Sequence, residues 1–123
     1  ALVSCFALSC YSSIINRTLK PFNPLLGETY ELEIEGMRYI SEQVSHHPPI
    51  SSGHCETDTW IFYASVEVKT SFKGTYLQAK PYGALHVILK NTGDHFVWTK
   101  PYVNIHNIIV GTIYIDAFGT FEV

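Results

Sequence analysis

Two short stretches hold the side chains whose types and spacing could do recognition chemistry. In Lys20-Pro21-Phe22-Asn23-Pro24-Leu25-Leu26-Gly27 a cation and an amide sit on a backbone stiffened by two prolines. The N–H groups of Leu25, Leu26 and Gly27 follow in a stretch that cannot continue a helix, so they are read as uncommitted. Cation, amide and peptide donors together suit an anion. The second stretch is His46-His47-Pro48-Pro49, where adjacent imidazoles can each donate to a phosphate oxygen and take up a proton beside a dianion. Taken singly, a lysine before proline reads as a solvated surface charge and a histidine pair in a loop as loop polarity. A phosphate pocket follows only if both stretches converge.

Other chemistries find less support. His54, His86, His95 and His106 show no HExxH or HxH spacing, so no metal site is expected. Cys5, Cys10 and Cys55 are odd in number and lack a CxxC, which points away from a disulfide framework and toward a reducing, cytoplasmic setting. In that setting the glycosylation sequon Asn16-Arg17-Thr18 carries no weight. There is neither a GxSxG elbow nor a GxxxxGK[ST] loop, so a binding module is favoured over an enzyme, with no cofactor. A net charge of -3, from 8 Lys and Arg against 11 Asp and Glu, argues against nucleic acid and against broad adhesion to an anionic membrane. Phosphate recognition would have to be local.

The elements that must position these groups are mostly strands. At 123 residues the chain is one domain or part of one, and 46% hydrophobic residues with eight Tyr, seven Phe and two Trp favour sheet. The apolar run Ala1 to Tyr11 meets Ser12-Ser13 and Arg17 before reaching the roughly 20 residues of a membrane span, and predicts a buried N-terminal helix. No basic region marks it as a signal peptide, and its uncapped start suggests that the helix continues before Ala1. Tyr30, Leu32 and Ile34 alternate with Glu31, Glu33 and Glu35, and Gly36 turns this strand into a second, Met37 to Val44. Ser45 to Gly53, with its two prolines, predicts a loop outside any central strand. Further strands are expected at Trp60 to Thr70, Thr75 to Ala79, Ala84 to Lys90, His95 to Thr99, Ile108 to Ile115 and Thr120 to Val123. Turn residues such as Lys73-Gly74, Pro81-Tyr82-Gly83 and Asn91-Thr92-Gly93-Asp94 separate them. This spacing predicts a mainly β fold, an antiparallel meander curling into a barrel or a large curved sheet.

The run Glu42-Gln43-Val44-Ser45-His46-His47-Pro48-Pro49 resembles the fingerprint of the oxysterol-binding-protein family. Lys20 to Glu31 is similar to that family's second characteristic stretch, and Ala7 to Tyr11 and His106-Asn107-Ile108-Ile109-Val110-Gly111 are similar as well. The resemblance implies an incomplete antiparallel β-barrel enclosing a lipid tunnel. Residues 1–123 would form its central portion, with a lid and a C-terminal region outside this stretch. It also implies binding of phosphatidylinositol 4-phosphate, exchanged for a sterol or phosphatidylserine. His46 and His47 would hold the 4-phosphate, Lys20 and Asn23 the inositol phosphate head, with the Leu25 and Leu26 backbone close by. The implied setting is cytoplasmic, with transient peripheral contact at organelle membranes or membrane contact sites. A lipid-occupancy sensor or scaffold is the alternative, and a lipid hydrolase or phosphatase a third reading.

Overall fold

The computed structural model describes residues 1–14, 19, 21–120 and 122–123, apart from the side chain of Ser13. Lys20 and the sequon Asn16-Arg17-Thr18 lie outside the described residues. Helix α1 (Leu2–Ser9) runs into a 3-10 turn (Cys10–Ile14). Nine strands follow: β1 (Thr29–Ile34), β2 (Met37–His46), β3 (Pro49–Glu56), β4 (Trp60–Phe72), β5 (Tyr76–Tyr82), β6 (Ala84–Leu89), β7 (His95–Thr99), β8 (Tyr102–His106) and β9 (Tyr114–Phe118). Every pairing is antiparallel.

The nine strands behave as seven. β6 and β5 lie end to end along one edge of β4, in one unbroken register from Trp60↔Leu89 to Phe72↔Leu77. β7 and β8 lie end to end along their far side. The break between β7 and β8 falls at Pro101, which has no N–H for the ladder, and extending the β5–β8 register sets Pro81 of β5 opposite it. Between Ala84↔Thr99 and Ala79↔Val103 one strand spends five residues and the other four, so a bulge bends the sheet here. Gly83 makes the crossing possible. Its φ is +110°, and a Cβ there would collide with the Ser65 carbonyl oxygen.

Because side chains alternate across a strand, each cross-strand row belongs to one face. The row Leu32, Tyr39, Cys55, Phe62, Val87, Phe96 crosses six strands and is apolar throughout. The neighbouring row on the opposite face reads Glu31, Ile40, His54, Tyr63, His86, Val97. α1 packs on the apolar face: Ala7 is fully buried with Leu85, Val87 and Trp98, and Val3, Phe62 and Ala64 pack around them. The Phe6 ring stands edge-on to Phe62 at 5.6 Å and to Trp98 at 6.2 Å, contacts worth about 0.5–1.5 kcal/mol each beyond area burial. Farther along the same face Tyr30, Leu32 and Ile34 of β1 are exposed, and β1 and β9 do not pair with each other. The sheet is open, an incomplete antiparallel barrel with one N-terminal helix.

Several local expectations are corrected. The predicted loop Ser45 to Gly53 is a tight turn followed by β3, an interior strand between β2 and β4. Pro48 sits in the turn and Pro49 is the first residue of the strand, a place where a missing donor is tolerated. The predicted strand Ile108 to Ile115 is for the most part a loop. Asn107 has φ +59° and its side-chain amide donates to the Thr112 carbonyl at 3.0 Å, so the chain turns before β9 starts at Tyr114. Ile109 and Val110 are exposed in that loop, and β8, which the reading missed, precedes it. Pro81-Tyr82 extends β5 instead of ending it, and no strand is found among the described residues of Thr120 to Val123. α1 is buried on one side only, with Leu2, Cys5 and Leu8 exposed.

Candidate functional site at the end of strand β2

The second strand carries the site. Its last residues are Gln43, Val44, Ser45 and His46, and the pairing with β3 slips by one residue across Val44, from Gln43↔Ser51 to Ser45↔Ile50. Such a bulge twists the strand and re-aims the side chains beyond it. His46 pairs with Pro49, so His47-Pro48 forms a two-residue turn, and the His47–Pro48 bond is cis. Both imidazoles are exposed, with ring centroids 4.7 Å apart at 66°. They stand side by side at the rim of the sheet, open to a ligand.

The proline-rich stretch is stitched to the same strand end. Gly27 donates to the Gln43 carbonyl at 2.9 Å, and Gln43 donates to the Glu28 carbonyl at 3.2 Å. Glu28 closes a turn onto the Leu25 carbonyl at 2.9 Å, and its carboxylate accepts from the Leu25 N–H at 2.6 Å. These bonds tie the loop of Asn23, Leu25 and Leu26 to β2 three residues before His46. They also correct one reading: the N–H groups of Leu25 and Gly27 are engaged within the protein, not uncommitted. Asn23 is exposed, and so are the side chains of Leu25 and Leu26. Lys20 lies outside the described residues.

Sequence reasoning passed over two residues that hold this arrangement. Gln43 is only 2% exposed; its side-chain oxygen accepts from the Ser51 hydroxyl at 2.5 Å while its backbone bonds both ends of the Gly27-Glu28 peptide unit. Glu28 locks the loop with its carboxylate. The signal for Gln43 was its place in the Glu42 to Pro49 run. The signal for Glu28 was its place in the Lys20 to Glu31 stretch, but its partner is known only once the turn has formed.

Two recesses separate the polar and apolar ends. One of about 80 Å³ lies between the loop and β2, lined by Pro24, Glu28, Tyr30, Glu42, Gln43 and Ser51 among others. One of about 320 Å³ lies on the apolar face beneath α1, lined by Leu2, Val3, Phe6, Trp60, Val87 and Leu89. The larger holds no polar side chain and suits hydrocarbon; the smaller can orient a head group. Shifted ionisations fall elsewhere. Glu56 is held below the usual carboxylate range by a hydrogen bond and charge from Lys90, 2.7 Å away, and burial pushes the Cys55 thiol up.

A strand-end imidazole pair, a proline-stiffened loop bonded to the same strand and an apolar sheet row belong to one chain, and that chain has known relatives. The sequence profile of the family described as Oxysterol-binding protein matches residues 1–123. The chain belongs to the oxysterol-binding protein family. Oxysterol-binding protein 2 of Mus musculus is 42% identical over 99% of this chain and 14% of its own length. The Osh3 ORD of Saccharomyces cerevisiae, crystallised in complex with PI(4)P, superposes with a TM-score of 0.86 at 39% identity, covering 97% of this chain and 33% of that one. The Osh1 ORD domain in complex with cholesterol gives 0.87 at 34% identity, covering 95% of this chain and 30% of that one. The chain thus spans about a seventh of that mouse relative and a third of the crystallised oxysterol-binding protein family domains.

Proposed function

We propose that this chain is the central portion of a lipid-binding domain that carries phosphatidylinositol 4-phosphate and exchanges it for a sterol or phosphatidylserine between membranes. The observation that carries this is the joining, by the Gly27–Gln43 and Gln43–Glu28 hydrogen bonds, of the loop that holds Asn23 to the His46-His47 strand end, on a sheet crossed by the apolar row from Leu32 to Phe96. His46 and His47 donate to the 4-phosphate, and Lys20 and Asn23 bind the rest of the inositol phosphate, with the Leu25-Leu26 backbone alongside. The apolar face replaces the bilayer around the lipid tail at about 25 cal/mol per Å² of apolar area. The similarity to domains crystallised with PI(4)P and with cholesterol supports both kinds of ligand.

The lipid is bound and released intact, so the domain needs no catalytic group, metal or cofactor. Among the described residues no helix is long and apolar enough to cross a membrane, and the expected setting is cytoplasmic, with transient peripheral contact at membrane contact sites. The test is transfer of labelled phosphatidylinositol 4-phosphate from donor to acceptor liposomes by the complete domain. The expected result is stoichiometric extraction and intact delivery. Extraction without delivery favours a lipid-occupancy sensor, and released phosphate or cleaved lipid would establish a hydrolase.

A further inference from the structure

The polar face of the sheet carries a histidine pair that the lipid site does not use. His86 on β6 and His95 on β7 occupy diagonal positions of an antiparallel pair, flanked by the register partners His86↔Val97 and Ile88↔His95. His86 Nδ1 and His95 Nε2 are 3.0 Å apart, with ring centroids at 5.2 Å. Tyr63, the partner of His86 on β4, stacks on its ring at 4.5 Å and 5°, and so fixes the orientation of that imidazole. His86 is half-buried and His95 exposed, so the pair opens to solvent.

A nitrogen separation of 3.0 Å is close to the bite of two cis ligands on an ion bound at roughly 2.0–2.1 Å from each. We propose that His86 and His95 form a two-imidazole chelate for a borderline divalent transition ion of the zinc, nickel and copper group, clipping β7 to β6. Imidazole pairs favour these ions over magnesium and calcium, which want oxygen ligands. In the free protein one of the two rings donates an N–H to the other ring's nitrogen. The ion takes the place of that hydrogen when the donating ring moves the proton to its other nitrogen, leaving two neutral imidazoles with lone pairs facing the metal. Among the described residues no group of three or more His, Cys, Asp or Glu is placed to hold a metal ion, so water fills the remaining positions. Tyr63 acts as a positioning residue, as outer partners of ligating histidines do.

Titration calorimetry of the complete domain with Zn2+ at neutral pH tests this. One ion is expected per chain, and His86→Ala and His95→Ala should each weaken binding by at least about 10–100-fold, the range seen when even outer-shell partners of a ligand are removed. His46→Ala with His47→Ala should leave zinc binding unchanged. Imidazole NMR of the unsubstituted chain guards against misfolded variants: zinc should shift the His86 and His95 ring signals together at one ion per chain. Binding that survives both single substitutions, binding lost with the His46 and His47 pair, or unshifted His86 and His95 signals would overturn the assignment.

Discussion

On the proposed reading His46 and His47 meet a dianion, and two side chains then decide much of the affinity. Each charge-assisted hydrogen bond is worth roughly 1.5–3 kcal/mol, so His46→Ala with His47→Ala should weaken phosphoinositide extraction by about two to four orders of magnitude. A neutral sterol should lose far less. Both rings are exposed and bear no part of the core, so melting of the lipid-free domain should change little; a collapse in its melting temperature would mean that the pair holds the turn together instead. The pair was singled out in the sequence by its place in the Glu42 to Pro49 run that resembles the family fingerprint, since adjacent imidazoles before two prolines read alone as loop polarity. Gln43 and Glu28 were not, since their roles are hydrogen bonds between segments that meet only in the fold. A second prediction at this scale concerns Glu56. Lys90 depresses its folded pKa, so the pair's contribution is present above the ordinary carboxylate pKa and is lost as pH falls through the lowered one. Carboxyl NMR should show Glu56 titrating below the ordinary value and returning toward it in Lys90→Ala, whereas an unmoved midpoint would exclude Lys90 as the cause.

Among the elements, legibility followed side-chain alternation. Tyr30, Leu32 and Ile34 against Glu31, Glu33 and Glu35 announced β1 at once, and the aromatic run from Trp60 announced β4. β3 reads Pro-Ile-Ser-Ser-Gly-His-Cys-Glu, with weak strand propensity, and is formed because β2 and β4 pair with it on both sides. The opposite error arose at Ile108 to Ile115, where apolar content suggested a strand but Asn107 turns the chain first. The split between β5 and β6 was read from Pro81-Tyr82-Gly83, whereas β8, which follows β7 beyond Pro101, was not expected, because its pairing with β5 is not a local pattern. Gly83 is the element-scale test. Gly83→Ala would force a Cβ against the Ser65 carbonyl oxygen at an unfavourable positive φ, and should cost at least about 1–3 kcal/mol, seen as a melting temperature lower by several degrees. Unchanged melting would show that the β4 crossing is looser than it stands here.

At the scale of the whole molecule, one face of the sheet is apolar, its two edge strands are unpaired with each other, and much of that face is uncovered beyond α1. Exposed edges and apolar patches of this kind drive association. The isolated 123-residue piece should therefore dimerise or aggregate and carry lipid poorly, as size-exclusion chromatography with liposome extraction would report. A soluble monomer that extracts lipid as well as the complete domain would contradict this. The spacing of turns and strands left a barrel and a large curved sheet both open, and the incomplete barrel came from the family resemblance, because closure depends on how far the bulges bend the sheet. Native mass spectrometry of the complete domain purified from cells tests lipid carriage most directly. The expected spectrum shows one bound lipid per chain, with a phosphoinositide among the species in the unsubstituted protein and none in the His46→Ala, His47→Ala variant. A lipid-free protein, or a phosphoinositide retained equally by both, would contradict the assignment of this fold and these histidines to lipid recognition.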